Sequence, residues 1–276
     1  MKHGNVAIVT GGGSGIGAAL SKAMAQRGVH VVLADRDVDA AESVAQRIVE
    51  TGGQATVMEL DVRHLASFKD VAATTLQKLG RIDYLFNNAG VAVSGQMSDY
   101  TEDDWEYVID VNLKGVAWGI QTVYPIMREQ GFGHIISTAS TAGLLPAPLG
   151  SYTATKHAVV GLSKSLRIEG KSHGVKSSVL CPGAINTPIL MGGKFGRKRG
   201  KQPTDDQIRE MWRRMRPMDP DDFAEQALEG VRRNLPVIIV PRWWRSLWYL
   251  ERISSRLSIR LWQRFADSNQ AMFDRD

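Results

Sequence analysis

Val6-Ala7-Ile8-Val9-Thr10-Gly11-Gly12-Gly13-Ser14-Gly15-Ile16-Gly17 is the stretch that decides the fold of this chain. Val6 to Val9 are apolar without alternation, the pattern of a parallel strand buried on both faces. Ala18-Ala19-Leu20-Ser21-Lys22-Ala23-Met24-Ala25 then reads as a helix. A glycine-rich turn joins them. Bare backbone lets a phosphate approach closely, and the amide end of a helix favours its charge. The glycine spacing departs from the G-x-G-x-x-G fingerprint, but the physical logic is the same. The stretch therefore predicts a phosphate-binding turn rather than a flexible loop.

The same alternation runs down the chain. Apolar strand candidates fall at 5–9, 30–34, 55–60, 82–86, 133–138, 175–181 and 236–240. Helical patterns separate them at 14–27, 37–51, 64–79, 102–129, 151–172 and 219–234. This predicts an α/β protein: a single Rossmann-type, doubly wound parallel sheet of about seven strands with helices on both faces. A ligand would then lie across the carboxyl ends of the strands. Gly11, Asp35, Asp61, Asn88, Ser140 and Pro182 all fall at such ends.

Two constellations carry chemistry. Val31-Val32-Leu33-Ala34 ends in Asp35, 18 residues beyond Gly17, close to the roughly 20 at which an acid takes the ribose hydroxyls of a dinucleotide. A carboxylate there repels a 2′-phosphate and points to NAD. Arg36 follows at once and leaves NADP open; a helix-capping acid is the bland alternative for Asp35. Further on, Tyr152-Thr153-Ala154-Thr155-Lys156 places a phenol and an ammonium on one helix face. The positive charge favours phenolate. Taken alone, the pattern is weak, and most chance matches are a packed tyrosine beside a surface lysine.

With these pieces in order, the chain resembles the short-chain dehydrogenase/reductase family over roughly residues 5 to 240. The family's T-G-x-x-x-G-x-G loop is met by Thr10, Gly11, Gly15 and Gly17, with Ser14 and Ile16 between. Its adenine-side acid is matched by Asp61, beside Val62. Its N-N-A-G stretch stands as Asn87-Asn88-Ala89-Gly90, and its helix asparagine as Asn112. Ser140, Tyr152 and Lys156 match the catalytic serine, tyrosine and lysine. Ser137 and Ser151 compete with Ser140, whose distance to Tyr152 is nearest the family's own. Pro182-Gly183, then Ile185 and Thr187, match the turn beside the nicotinamide. The family's common V-D-G-G ending is absent; Val237-Ile238-Ile239-Val240-Pro241 stands there instead.

The resemblance implies an NAD(P)-dependent oxidoreductase that interconverts a secondary alcohol and a ketone or aldehyde. Tyr152 would be the acid/base, with its ordinary pKa near 10 lowered by Lys156 and the oxidised nicotinamide. Ser140 would orient the substrate oxygen, and Lys156 would also hold ribose. Asn112 would anchor a water leading from Lys156 to solvent. The implied partners are a small-molecule alcohol or carbonyl compound and further copies of the chain in a homodimer or homotetramer. The alternative is a catalytically silent dinucleotide-binding regulator of the same fold.

Composition agrees with a cytoplasmic enzyme. Of 276 residues, 43% are apolar, enough to fill a sizeable core. No stretch has the roughly 18 uncharged apolar residues of a membrane span, and no secretory signal precedes the first strand. The single cysteine, Cys181, fits a reducing compartment and reads as buried packing. The six histidines lack metal-ligand spacing, so no metal is expected. The net charge of +5 comes without a nucleic-acid motif, so DNA binding is not expected.

Two segments stand outside the repeating pattern of the dehydrogenase domain, 1–242. Residues 188–218 occupy the place of the variable substrate lid that the resemblance implies: four glycines at 192, 193, 196 and 200 suggest a mobile loop, and 194–201 carry five basic residues. A solvated loop and a site for an anionic substrate tail are its two readings. Val91, Val93, Leu144, Leu145, Pro146 and Leu149 would line an apolar pocket. Residues 243–276 then read as a basic amphipathic helix. Trp243, Leu247, Leu250, Ile253, Leu257, Leu261 and Phe265 form its stripe, Arg245, Arg252, Arg256 and Arg260 its opposite side, and Trp244, Trp248 and Trp262 its edges. Docking on the protein or a second subunit, covering a lipophilic substrate, and peripheral membrane contact through 243–265 remain three readings of it.

Overall fold

The computed structural model describes residues 1, 3–192, 195–200 and 202–273. Strand and helix alternate as the apolar periods dictate: β1 (Val6–Thr10), α1 (Gly15–Ala25), β2 (His30–Asp35), α2 (Val38–Glu50), β3 (Gln54–Glu59), α3 (Leu65–Leu79) and β4 (Tyr84–Asn87). A short β5 (Ala92–Ser94) precedes α4 (Glu102–Ile109) and α5 (Gly115–Gln130). Then come β6 (Gly133–Thr138), α6 (Gly150–Gly170), β7 (Val175–Pro182), β8 (Gly196–Lys198), α7 (Asp205–Arg214), α8 (Pro220–Arg232) and β9 (Val237–Val240). The chain closes with α9 (Trp244–Ile253) and α10 (Ser255–Phe273).

Seven strands form one parallel sheet in the order β3-β2-β1-β4-β6-β7-β9. The chain winds outward from β1 to β3, returns to β4 on the other side of β1, and winds out again. The crevice between the carboxyl ends of β1 and β4 is the switch point at which such sheets bind ligands. Alternate strand residues explain the two covered faces. Ala7, Val9, Val31 and Leu33 pack under α1, α2 and α8, beside Leu20, Met24, Ile48 and Phe223. Val6, Ile8, Val32 and Leu85 face Phe68 and Val71 of α3 and Val123 and Met127 of α5. Full burial of such side chains stabilises by about 1.5–3 kcal/mol each.

Three expectations are corrected. The continuous helix over 102–129 is interrupted: residues Asp110–Lys114 form a π turn between α4 and α5. A single extra residue in the ladder leaves the apolar period nearly intact, so the sequence hides it. The single tail helix is two. Ser254 is extended (φ −155°, ψ 95°), ends α9 and caps α10, its hydroxyl accepting from the Leu257 amide at 3.3 Å. That break shifts the phase of the apolar stripe. Trp244, read as an edge residue, is buried, whereas the stripe residues Trp243, Ile253, Leu257 and Leu261 are exposed.

The basic lid is the third correction. Gly196–Lys198 is a strand, β8, paired in parallel with Ala92–Ser94 of β5. Arg199 donates to both carboxylate oxygens of Asp104 at 2.5 and 2.7 Å, and Arg197 reaches Asp103 at 2.5 Å and Asp104 at 3.1 Å. These two arginines are taken up by the protein itself, so neither a solvated loop nor a site for an anionic tail describes them. Gly193, Lys194 and Lys201 lie outside the described residues, as do 274–276 of the tail.

Candidate active site

The turn after β1 is built by contacts only glycine permits. Gly11 has φ +66°, and an added Cβ would press on the Ala89 backbone at 3.0 Å. At Gly17 the place of a Cβ is filled by the Gly11 carbonyl. Gly17 therefore brings α1 against the turn rather than lining the cleft. Ser14 stands at the N-cap of α1 with its hydroxyl making no cap bond. The first amides of α1 and a free hydroxyl thus face a space where an anion fits.

Thr10 links this turn to β4. Its hydroxyl accepts from the amides of Asn88 (2.9 Å) and Ala89 (3.0 Å), and Asn88 Nδ2 donates to the Thr10 carbonyl at 3.1 Å. Asp35 ends β2 and accepts from the Gly13 amide (2.8 Å) and the Asp37 amide (2.9 Å). Arg36 is exposed beside it. Asp61 is chelated by Arg63 at 2.6–3.0 Å, and that hydrogen bonding holds its carboxyl below the usual range.

These groups line one cleft of about 800 Å³ across the carboxyl ends of the strands. Gly11, Ser14, Gly15, Ile16, Asp35, Arg36, Asp61 and Val62 stand along one half of its wall. Asn88, Ala89, Gly90, Pro182, Gly183, Ile185 and Thr187 stand along another part. Ser140, Tyr152 and Lys156 open into the same space. Ser137 and Ser151 are buried elsewhere, so of the three candidates Ser140 is the one in the cleft.

Tyr152 begins α6 and Lys156 lies one turn on. The Lys156 ammonium sits 5.4 Å from the centre of the Tyr152 ring and donates to the Thr138 carbonyl at 2.9 Å. Burial pushes the Tyr152 phenol above its ordinary value, and a hydrogen bond with Ser140 pulls it part of the way back. Burial lowers Lys156 to about 8. The downward shift expected of Tyr152 is therefore not produced by these protein groups alone. Cys181, raised by burial to about 12, stays a thiol.

Asn112, in the π turn, does not line the cleft. Its amide is fully buried and clamps Val91, accepting from the Val91 amide (2.8 Å) and donating to the Val91 carbonyl (2.9 Å). It fixes the turn after Gly90, where a Cβ would lie 3.4 Å from both Asn112 Oδ1 and Lys156 Nζ. Of the expected apolar pocket residues, Val91 and Leu149 line the cleft. The rest of the wall comes from two segments for which sequence reasoning held a substrate-covering reading, without naming the residues that line it. Met211, Trp212 and Met215 come from α7 and its end, and Trp262, Phe265, Asn269 and Phe273 come from α10. Sequence reasoning missed Asp104, whose burial was detectable only in the capping box Thr101-x-x-Asp104 that opens α4.

A model of the short chain dehydrogenase family matches residues 5–194. An uncharacterized oxidoreductase of Listeria innocua is 39% identical over 188 residues, covering 67% of this chain and 76% of that protein. A solved short chain dehydrogenase/reductase from Burkholderia phymatum, in complex with NAD, is similar at 32% identity with a TM-score of 0.83; the match covers 92% of this chain and 95% of that one. The apo form of LigD from Sphingobium sp. strain SYK-6 is similar at 26% identity with a TM-score of 0.75, over 99% of this chain and 98% of that one.

Proposed function

This chain belongs to the short-chain dehydrogenase family, and from that premise we propose an NAD-dependent oxidoreductase that interconverts a secondary alcohol and its ketone on a lipophilic substrate. One observation carries the reading: Ser140, Tyr152 and Lys156 open into the same cleft as the glycine turn. A regulator that only sensed a dinucleotide could use Lys156 to hold ribose but would not need Ser140 and Tyr152 beside it.

The nicotinamide dinucleotide supplies the hydride acceptor or donor. Ser14, Gly15, Ile16 and the N-terminus of α1 would hold its pyrophosphate, Asp35 its adenosine ribose, and Asp61 and Val62 the adenine side. Asn88, Ala89, Gly90 and Lys156 would hold the second ribose. Pro182, Gly183, Ile185 and Thr187 would flank the ring. Arg36 is the group through which NADP would be accepted.

In the oxidation direction the Tyr152 oxygen takes the proton of the substrate hydroxyl; in reduction it returns that proton to the carbonyl oxygen. Ser140 hydrogen-bonds the same substrate oxygen and orients it. Because burial raises the Tyr152 phenol, its ionisation needs positive charge brought close. Lys156, near 8, is charged at neutral pH and loses that charge as pH rises past 8. Asn112 acts through position, holding the Gly90–Val91 turn against Lys156. The apolar and aromatic wall from α7 and α10 supports a substrate with little polar surface beyond its reacting oxygen.

The test is nicotinamide absorbance of the purified protein against steroids, terpene alcohols, acyl-chain alcohols and aryl alcohols. Turnover of at least one lipophilic class is expected. Tight dinucleotide binding with no turnover of any class would overturn the proposal.

A further inference from the structure

The two C-terminal helices have a second face that the cleft does not use. Trp262, Phe265 and Phe273 turn into the cleft wall. Elsewhere on the two helices six large apolar side chains stand in solvent: Trp243 (45% exposed), Tyr249 (56%), Ile253 (84%), Leu257 (51%), Ile259 (44%) and Leu261 (44%). They make up most of the large apolar side chains that are exposed among the described residues. Surface apolar residues scattered singly need no explanation; two pairs that each share a helix face, Tyr249 with Ile253 on α9 and Leu257 with Leu261 on α10, do.

The charge of these helices is predominantly positive. Arg242, Arg252, Arg256, Arg260 and Arg264 are exposed, and none pairs with a carboxylate among the described residues. Over the described tail, 242–273, six arginines stand against two acids: Glu251, which accepts the Ser255 hydroxyl at 2.7 Å, and the exposed Asp267. Arg252 lies over the Trp248 ring at 5.4 Å. Apolar side chains, indole and phenol rings, and arginines without a carboxylate partner among the described residues are exposed together on these two helices. The headgroup region of an anionic bilayer accepts all three: acyl boundary for the aliphatic groups, interface for the aromatic ones, and phosphate for the guanidinium forks.

A second copy of the chain fits less well. A twofold contact sets a surface against itself, so five arginines would face five arginines without a counter-charge. No described helix is long and apolar enough to cross a membrane. We propose that the outer face of α9–α10 docks on an anionic lipid bilayer, lying in the interface rather than spanning it. On the lipophilic-substrate reading above, one helix would then separate the membrane from the substrate chamber. The docking does not depend on that reading, because lipid binding and turnover are separate measurements.

The experiment is co-sedimentation of the full chain with two kinds of vesicle. One is phosphatidylcholine alone; the other is phosphatidylcholine with an equal part of phosphatidylglycerol. Binding to the anionic vesicles should be the stronger and should weaken as salt is added. Arg256→Gln with Arg260→Gln should lower the anionic partition by about 30-fold and leave the neutral one unchanged. Leu257→Ser with Leu261→Ser should lower the anionic partition by at least about tenfold. Ile253→Ser, at a side chain with almost no packing to lose, keeps the test open should a double variant misfold by circular dichroism; it too should weaken binding. No sedimentation above the lipid-free control, equal binding to both vesicles, or unchanged binding by the variants would each overturn the proposal. So would a dimer in light scattering that the leucine variants dissociate.

Discussion

The two sides of the cleft are built on different principles. The dinucleotide side, from β1 to β4, is shaped by main chain: Gly11 at positive φ, Gly17 with no room for a side chain, and the open amides of α1. The substrate side is assembled from distant segments by side chains. β8 is tied to α4 through Arg197, Arg199 and Asp104, and α10 brings Trp262 and Phe265 across from the far end of the chain. A backbone-built site tolerates almost no local change. A side-chain-built wall can be remodelled one residue at a time, which is where specificity in a family of shared chemistry can vary.

The sharpest way to break that comparison is at the junction of the two sides. Tyr152→Phe removes one oxygen and leaves the ring in place. Turnover is expected to fall by about 10²–10⁴-fold, the usual contribution of a positioned acid/base. NAD affinity, followed by tryptophan fluorescence, should be unchanged. Lys156→Ala should lower both, since Lys156 is assigned to ribose as well. A Tyr152→Phe enzyme with substantial turnover would show that the proton is carried by another group.

A smaller effect is expected from the substrate wall. Phe265→Ala opens the chamber without touching the glycine turn. The KM for apolar substrates should rise by roughly tenfold, the ordinary loss for truncating a well-packed aromatic contact, while the NAD dissociation constant holds. Removing residues 243–276 should do more to KM in the same sense. If either change weakened NAD and substrate alike, the two sides would not be separable. Of similar size is the exchange Asp35→Ser. Loss of a charged acceptor should weaken NAD by about tenfold and tighten NADP, with Arg36 free to meet its phosphate. Equal NADP and NAD affinity in the unaltered protein would already contradict the role given to Asp35.

The same division explains what could be read from the sequence. The apolar runs and the spacing of Thr10, Gly11, Gly15 and Gly17 specify strand, turn and helix locally, because each requirement is met by residues a few positions apart. Six of the seven sheet strands lie within a residue or so of their expected bounds for that reason. The opposite wall was not legible. The pairing of Asp104 with Arg199 spans 95 residues, and no local period marks it. Trp262 and Phe265 read as part of a helix, but which face turns inward was set by the break at Ser254. Asn112 was found by its motif, yet its clamp on Val91 depends on the π turn, which leaves almost no trace in the apolar pattern.

The smallest effect concerns the anchor of the lid. Asp104 is buried between Arg199 and Arg197, and the Arg199 guanidinium holds its carboxyl far below the usual range. A carboxyl whose folded pKa is depressed contributes stability at every pH above its unfolded value of about 3.9. That contribution declines as pH falls below the unfolded value and is gone once pH has fallen through the folded one. Asp104→Asn keeps the shape and removes the charge. At neutral pH the variant should show a lower denaturant midpoint, faster trypsin cleavage after Arg197 and Arg199, and a KM raised by a few-fold, the scale of one net hydrogen bond. NAD affinity should not move. The difference in midpoint between the two proteins should shrink as pH falls below about 3.9, because the carboxyl of the unfolded wild-type chain then takes up a proton that the folded one does not. A difference that grew with acid would mean that the charge of Asp104 is a burden in this fold, and that β8 is held by its pairing with β5 rather than by the arginines.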